Sequence, residues 1–214
     1  MSYEKNYQAL ILVGGLGTRL KPFTEKIPKP MIDIEGRPFL EFKIESLRKH
    51  GIKEFIFLVG HLGEKVEEYF EDGKRFGIDI KYSYEKEQLL GTAGALKNAE
   101  HLIKGDFILT NGDTFLDVDF EKLMDFHEIR NSKFTMVVAP ATHSKTQELV
   151  KIENDKIEKI FKRDTKEHED HLLIQNYPLV NGGTYIMSKE ILGLIPPNKK
   201  VSLEQEIFQR IERI

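Results

Sequence analysis

LVGGLGTRLKPFTEKIPKP (residues 12–30) places three glycines, Arg19, Lys29 and three prolines directly after an apolar run. A glycine-rich turn leaving a buried strand is where α/β sheets hold phosphates, because backbone N–H groups converge there and missing side chains let a ligand approach. Two familiar forms of such a loop do not fit. A dinucleotide fingerprint starting at Gly15 needs glycine where Leu20 stands, and the Walker pattern G-x-x-x-x-G-K-[ST] is absent.

Outward from this loop the chain alternates strand and helix patterns. QALILV (8–13), EFIFLV (54–59), IDIKYS (78–83), DFILTNGD (106–113, running into a polar loop) and FTMVVAP (134–140) read as strands. Between them, PFLEFKIESLRKHG has Phe39, Phe42 or Lys43, Ile44 and Leu47 at helical spacing, and GEKVEEYFED, TAGALKNAEHLI (92–103) and DFEKLMDFHEIRN follow as helices. This rhythm predicts an α/β fold with a largely parallel sheet covered on both faces. After residue 140 it changes. LVKIENDKIEKIF predicts a hairpin turning at Asn154-Asp155, 162–171 a solvated excursion, LLIQNYPLVNGGTYIMS one or two strands, and 202–214 a last amphipathic helix. A single domain with a small antiparallel annex fits, with 1–140 as core and 141–214 as annex and terminal helix.

Composition narrows the class of function. The 214 residues are 40% hydrophobic and 31% charged, with net charge −3 and no cysteine. That charge gives no electrostatic case for nucleic acid or an anionic membrane, and the lack of cysteine removes disulfides, thiolate nucleophiles and zinc–thiolate sites. The first residues carry neither a signal-peptide pattern nor a membrane span, which predicts a cytoplasmic protein. His61, His127 and His143 have no metal-ligand spacing and read as solvated or lightly packed; Phe120, Leu123, Met124 and His127 read as a helix core face.

Gly14-Gly15-x-Gly17-Thr18-Arg19-Leu20, with Pro22 and Pro28-Lys29-Pro30, resembles the signature of sugar-1-phosphate nucleotidylyltransferases, and the likeness continues along essentially all 214 residues. It implies a Rossmann-like nucleotidyltransferase fold with a mainly parallel mixed sheet. It also implies a loop, from Leu12 through Gly14, Gly15, Gly17 and Thr18, that wraps a nucleoside triphosphate, with Arg19 and Lys29 as catalytic cations. LLGTAGAL (89–96) is similar to the family's base- and ribose-contacting turn, which carries over Gly91 and Thr92; Thr92 also reads as a helix cap. Glu85 and Glu87, just before it, stand where relatives place a base-reading side chain, and Glu85 is the residue carried over. LTNGDTF (109–115) resembles the family's NGD, implying Asn111 at the nucleotide and Asp113 as a Mg²⁺ ligand. VNGGTY (180–185) is similar to the sugar-contacting turn, making Asn181 and Gly182 candidate sugar contacts, although Asn-Gly-Gly by itself reads as a hairpin turn.

Two departures qualify the likeness. Lys162 and Arg163 fall where relatives carry a Glu-Lys pair, so Arg163 is the expected grip on the sugar phosphate and the sugar-reading glutamate is missing. Relatives also carry a second metal-binding aspartate beyond a helix like 202–214, so within this sequence the metal clamp is expected to be half built. The phrases IPKPMIDIEGRPFLEF, LGTAGAL and NGDTFLDVD look most like bacterial heptose- or mannose-1-phosphate guanylyltransferases, which makes GTP the leading nucleotide, leaves CTP, UTP and dTTP open, and admits a homodimer. Two other readings remain: a glycosyltransferase using Asp117-Val118-Asp119 as a D-x-D metal site, and a non-catalytic nucleotide-sugar-binding regulatory subunit. Asp119 is equally placed to cap the helix 120–130.

Overall fold

The computed structural model describes residues 7–17, 20, 22–85, 88–141, 147–163, 165–166, 168–169 and 179–211. In chain order the strands are β1 (Gln8–Leu12), β2 (Asp33–Ile34), β3 (Arg37–Pro38), β4 (Glu54–Val59), β5 (Asp79–Tyr84), β6 (Phe107–Asn111), β7 (Phe134–Pro140), β8 (Leu149–Glu153), β9 (Lys156–Phe161) and β10 (Leu179–Met187). The α-helices are α1 (Phe39–Lys49), α2 (Gly63–Phe70), α3 (Gly91–Asn98), α4 (Phe120–Ile129) and α5 (Phe208–Ile211).

Strands β5-β4-β1-β6 form the parallel part of one mixed sheet, which continues through β10, β8 and β9; β2 and β3 make a separate small hairpin. The parallel strands are apolar on both faces because both are covered. Leu10, Ile56, Leu58, Phe107 and Leu109 pack against α3 and α5 through Ala93, Leu96 and Phe208. The alternate residues Ala9, Ile11, Phe55, Phe57 and Ile108 pack against α1, α2 and α4 through Leu40, Ile44, Val66, Phe70 and Met124. A period of two along each strand thus feeds two cores at once.

The antiparallel part continues the same sheet. β10 pairs with β7 along one edge, while its other edge serves β6 through Thr184–Met187 and β8 through Leu179–Val180. The switch falls at a register shift between Asn181 and Tyr185. Asn-Gly-Gly is therefore a bulge inside a strand, not a hairpin turn. The hairpin β8–β9 turns where the sequence predicts, with Asn154 and Asp155 at φ 49° and 61°, the paired left-handed conformation of a type I′ turn.

Three local expectations are corrected. The segment 92–103 is not one helix: α3 ends at Asn98 and a 3₁₀ turn, Glu100–Leu102, follows. The terminal helix begins as a π-helical turn over Leu203–Ile207. Within the predicted solvated excursion, His168 is buried, with Nε2 2.9 Å from the Gln147 carbonyl oxygen. The core face expected on α4 is present: His127 is buried with Phe120 and Met124, its Nδ1 2.7 Å from Thr135 Oγ1, and burial lowers its pKa. His143 lies outside the described residues.

Candidate active site

The carboxyl ends of the four parallel strands meet at one cavity of about 310 Å³, the edge at which open α/β sheets bind ligands. It gathers Leu12, Gly14, Gly15, Gly17, Lys29, Glu85, Gly91, Thr92, Asn111 and Asp113 from the expected site, and adds Glu204. Thr18 and Arg19 lie outside the described residues.

The glycines of the opening loop have different causes. A Cβ on Gly14 would meet the Gly60 backbone nitrogen at 2.8 Å, so the crossing of two strand ends requires it. Gly17 has φ 58°, and a Cβ there would meet Thr24 Cγ2 at 2.8 Å. Buried Thr24 fastens this turn by donating its hydroxyl to the Gly17 carbonyl at 2.9 Å. A Cβ on Gly15 would meet nothing within 4 Å, although the residue lines the cavity. Packing does not require glycine at Gly15, whose bare backbone lies open to the cavity.

Across the cavity, Lys29 Nζ stands 2.6 Å from Asp113 Oδ2, with side chains 36% and 37% exposed. Behind them lies a lysine that the sequence reading left undecided. Lys43 replaces Phe42 on the buried stripe of α1, is 2% exposed, and donates to the Thr114 carbonyl at 3.0 Å. Burial lowers its pKa to about 8, while the Asp113 charge opposes that shift. Among the described residues no three His, Asp, Glu or Cys side chains converge as a metal cage. Asp113 alone suits Mg²⁺, which keeps several waters and takes few protein carboxylates when phosphates are present. The Lys29 ammonium already neutralises this carboxylate from one side.

On another wall of the cavity, the half-buried Glu85 carboxylate sits between Gly14 and Gly60 and accepts the Leu90 N–H through Oε1. Burial raises its pKa, opposed by that backbone hydrogen bond. Gly91 has φ 74°, and a Cβ there would meet the Val201 carbonyl oxygen at 2.6 Å, so its bareness serves packing against 199–203. Thr92 does not cap its own helix. Its hydroxyl donates to Glu204 Oε2 and accepts the Leu203 N–H, both at 2.8 Å, and so caps the start of the terminal helix. Thr92→Val leaves the Leu203 donor without that acceptor and is expected to cost about 1–3 kcal/mol. Urea denaturation should show a lower midpoint at unchanged m-value, and an unmoved midpoint would contradict this role.

The expected sugar contacts form a second group beyond Asn111. A Cβ on Gly183 would meet Asn111 Nδ2 at 2.6 Å, which joins the bulge to the cavity. Gly182 is buried, its open side against Leu116 Cδ1 and the Val137 carbonyl oxygen at 2.7 and 2.8 Å. Asn181 Oδ1 accepts from Gly183 N and from the Tyr185 hydroxyl, both at 2.9 Å. Arg163 Nε lies 2.6 Å from Glu148 Oε1. The pairing of Leu149 with Phe161 sets Glu148 and Arg163 at the open end of the β8–β9 hairpin, and sequence reading gave no hint of it.

The profile of the nucleotidyl transferase family matches residues 8–212. The D-glycero-alpha-D-manno-heptose 1-phosphate guanylyltransferase of Campylobacter jejuni is 37% identical over 212 residues, spanning 97% of this chain and 87% of that protein. A UTP–glucose-1-phosphate uridylyltransferase of Synechocystis is 33% identical over 95% of this chain, which spans only 55% of its length. The crystal structure of HddC from Yersinia pseudotuberculosis complexed with GMP-PN superposes with a TM-score of 0.79 at 30% identity, covering 95% of this chain and 86% of that one. The chain belongs to the nucleotidyl transferase family, among its sugar-1-phosphate nucleotidylyltransferase enzymes.

Proposed function

We propose that this enzyme joins GTP to heptose or mannose 1-phosphate, releasing pyrophosphate, in the cytoplasm and in the supply of sugars for cell-surface polysaccharide. The observation that carries the reading is the Lys29–Asp113 pair facing the open side of Gly15 at the ends of β1 and β6. The sugar 1-phosphate oxygen attacks the α-phosphorus of the triphosphate, a new P–O bond forms, and the bond to the β-phosphate bridging oxygen breaks as pyrophosphate leaves. The nucleophile is an anion at neutral pH, so no general base is needed. Lys29 and Arg19 stabilise charge accumulating on the phosphate oxygens. A Mg²⁺ ion held by Asp113 would add charge neutralisation at the same phosphates. Residues 1–140 hold the nucleotide and 141–214 bring the sugar phosphate through Asn181 and Arg163. The D-x-D alternative is disfavoured because Asp119 serves as the N-cap of α4, accepting the Lys122 N–H at 3.0 Å.

Glu85 supports the choice of base. Guanine presents two adjacent donors, N1–H and the exocyclic amine, which one carboxylate can accept together, whereas uracil and thymine flank a single N–H with carbonyls that it repels. Glu85→Ala is expected to lower the preference for GTP over UTP by about tenfold or more. Competition of the two triphosphates in one reaction measures it, and an unchanged ratio removes Glu85 from base selection. The class itself is tested by pyrophosphate release with Mg²⁺ from GTP, CTP, UTP and dTTP against mannose and heptose 1-phosphates. Tight nucleotide binding without turnover would favour the regulatory-subunit reading.

A further inference from the structure

We infer that Glu148 reads the hydroxyl groups of the sugar 1-phosphate and sets selectivity among sugars, an inference that rests on the nucleotidylyltransferase reading above. A carboxylate is costly to bury, and Glu148 is 8% exposed. Its charge is met by the Arg163 guanidinium at 2.6 Å and by its own backbone N–H. The Asn181 amide lies at 3.5 Å, the outer limit for a hydrogen bond. An ionised carboxylate offers about four lone-pair sites, so acceptor capacity remains for hydroxyl donors. Burial raises the Glu148 carboxyl pKa, Arg163 opposes this, and the nearby Glu204 charge adds to it.

Position points to the same role. Glu148 lies beside β10 where its strand partner changes, its carbonyl accepting the Asn181 N–H at 2.9 Å. The bulge that follows Asn181 abuts Asn111 on the cavity wall. Glu204 lines the cavity and acts electrostatically on both Glu148 and the Tyr185 hydroxyl. Lys29 and Arg163 thus supply cations, and Glu148 and Glu204 supply acceptors, the two kinds of group that a phosphate joined to a polyhydroxylated ring requires. Charge-assisted hydroxyl–carboxylate hydrogen bonds are short and strong, so a buried carboxylate discriminates among ring stereoisomers. Arg163 orients it from the facing end of the hairpin.

The test compares wild type with Glu148→Gln, which keeps size and one acceptor while removing the charge, under GTP with the sugar 1-phosphate that wild type turns over and its monodeoxy analogues. The KM for the sugar 1-phosphate is expected to rise about tenfold or more while the KM for GTP changes less than twofold. One deoxy position that costs wild type about tenfold should cost the variant roughly threefold or less. If both KM values move in parallel, or the deoxy penalty is unchanged, the Glu148–Arg163 pair only braces the hairpin and the inference falls. Without detectable turnover, calorimetric titration of mannose and heptose 1-phosphates onto the GTP-bound protein separates the two claims. Equal affinity for wild type and variant overturns the role of Glu148 alone; no binding to wild type overturns the parent reading together with it.

Discussion

Lys29→Met is expected to lower kcat/KM for pyrophosphate release by about 10²–10³-fold, the usual loss when one preorganised donor is removed from developing phosphate charge. Methionine keeps the length and apolar stem, so the change isolates the ammonium. Lys29 is 36% exposed and its ion pair with Asp113 is partly solvated, so breaking that pair costs little folding stability. The expected signature is therefore a large kinetic effect with an unfolding midpoint close to wild type. Steady-state kinetics beside a denaturation curve checks both at once. A loss below tenfold would place Lys29 outside the charge-stabilising role and leave Gly15 facing a different ligand.

Asp113→Asn is expected to raise the Mg²⁺ concentration for half-maximal velocity by about tenfold or more, since changing even an outer partner of a metal ligand commonly costs that much. The maximal velocity should fall as well. Asparagine keeps the shape and one oxygen but gives the metal no charge, and it releases Lys29 from a partner 2.6 Å away. The double variant Lys29→Met, Asp113→Asn should therefore lose less than the product of the single losses, because groups in direct contact are not independent. Mn²⁺ binding followed by electron paramagnetic resonance reads the metal site without turnover. Unchanged Mn²⁺ affinity in Asp113→Asn would remove the aspartate from the metal site.

What the sequence made legible is what local chemistry determines. The α/β order, the glycine loop after β1 and the Asn154-Asp155 turn follow from short runs whose backbone demands are set by neighbouring residues. Partnerships between distant segments were not legible. Lys43 shares a helical stripe with apolar residues, and only the placement of α1 under the Thr114 carbonyl shows why a lysine is buried there. Thr92 sits where a helix cap is ordinary, yet it caps a segment more than a hundred residues later. Glu148 and Arg163 meet through the register of β8 with β9, and the bulge in β10 is one that Asn-Gly-Gly leaves ambiguous with a hairpin. The close packing of Gly91 against Val201 and of Gly182 against Val137 was likewise hidden, because each pair joins segments far apart in sequence.

The clasp between Gly91, Thr92 and the 199–204 segment also governs when in the life of the chain the site exists. The loop, Lys29, Glu85 and Asp113 are synthesised early, but Ala93 and Gly94 donate their N–H groups to Val201, and Thr92 waits for Leu203 and Glu204. β10, which joins the two halves of the sheet, also arrives late. A growing chain at the ribosome thus holds the phosphate loop long before it holds the wall opposite. Nascent chains are expected to stay inert towards nucleotide until the 199–204 segment has emerged and closed on Gly91 and Thr92, with nucleotide binding appearing abruptly at that point.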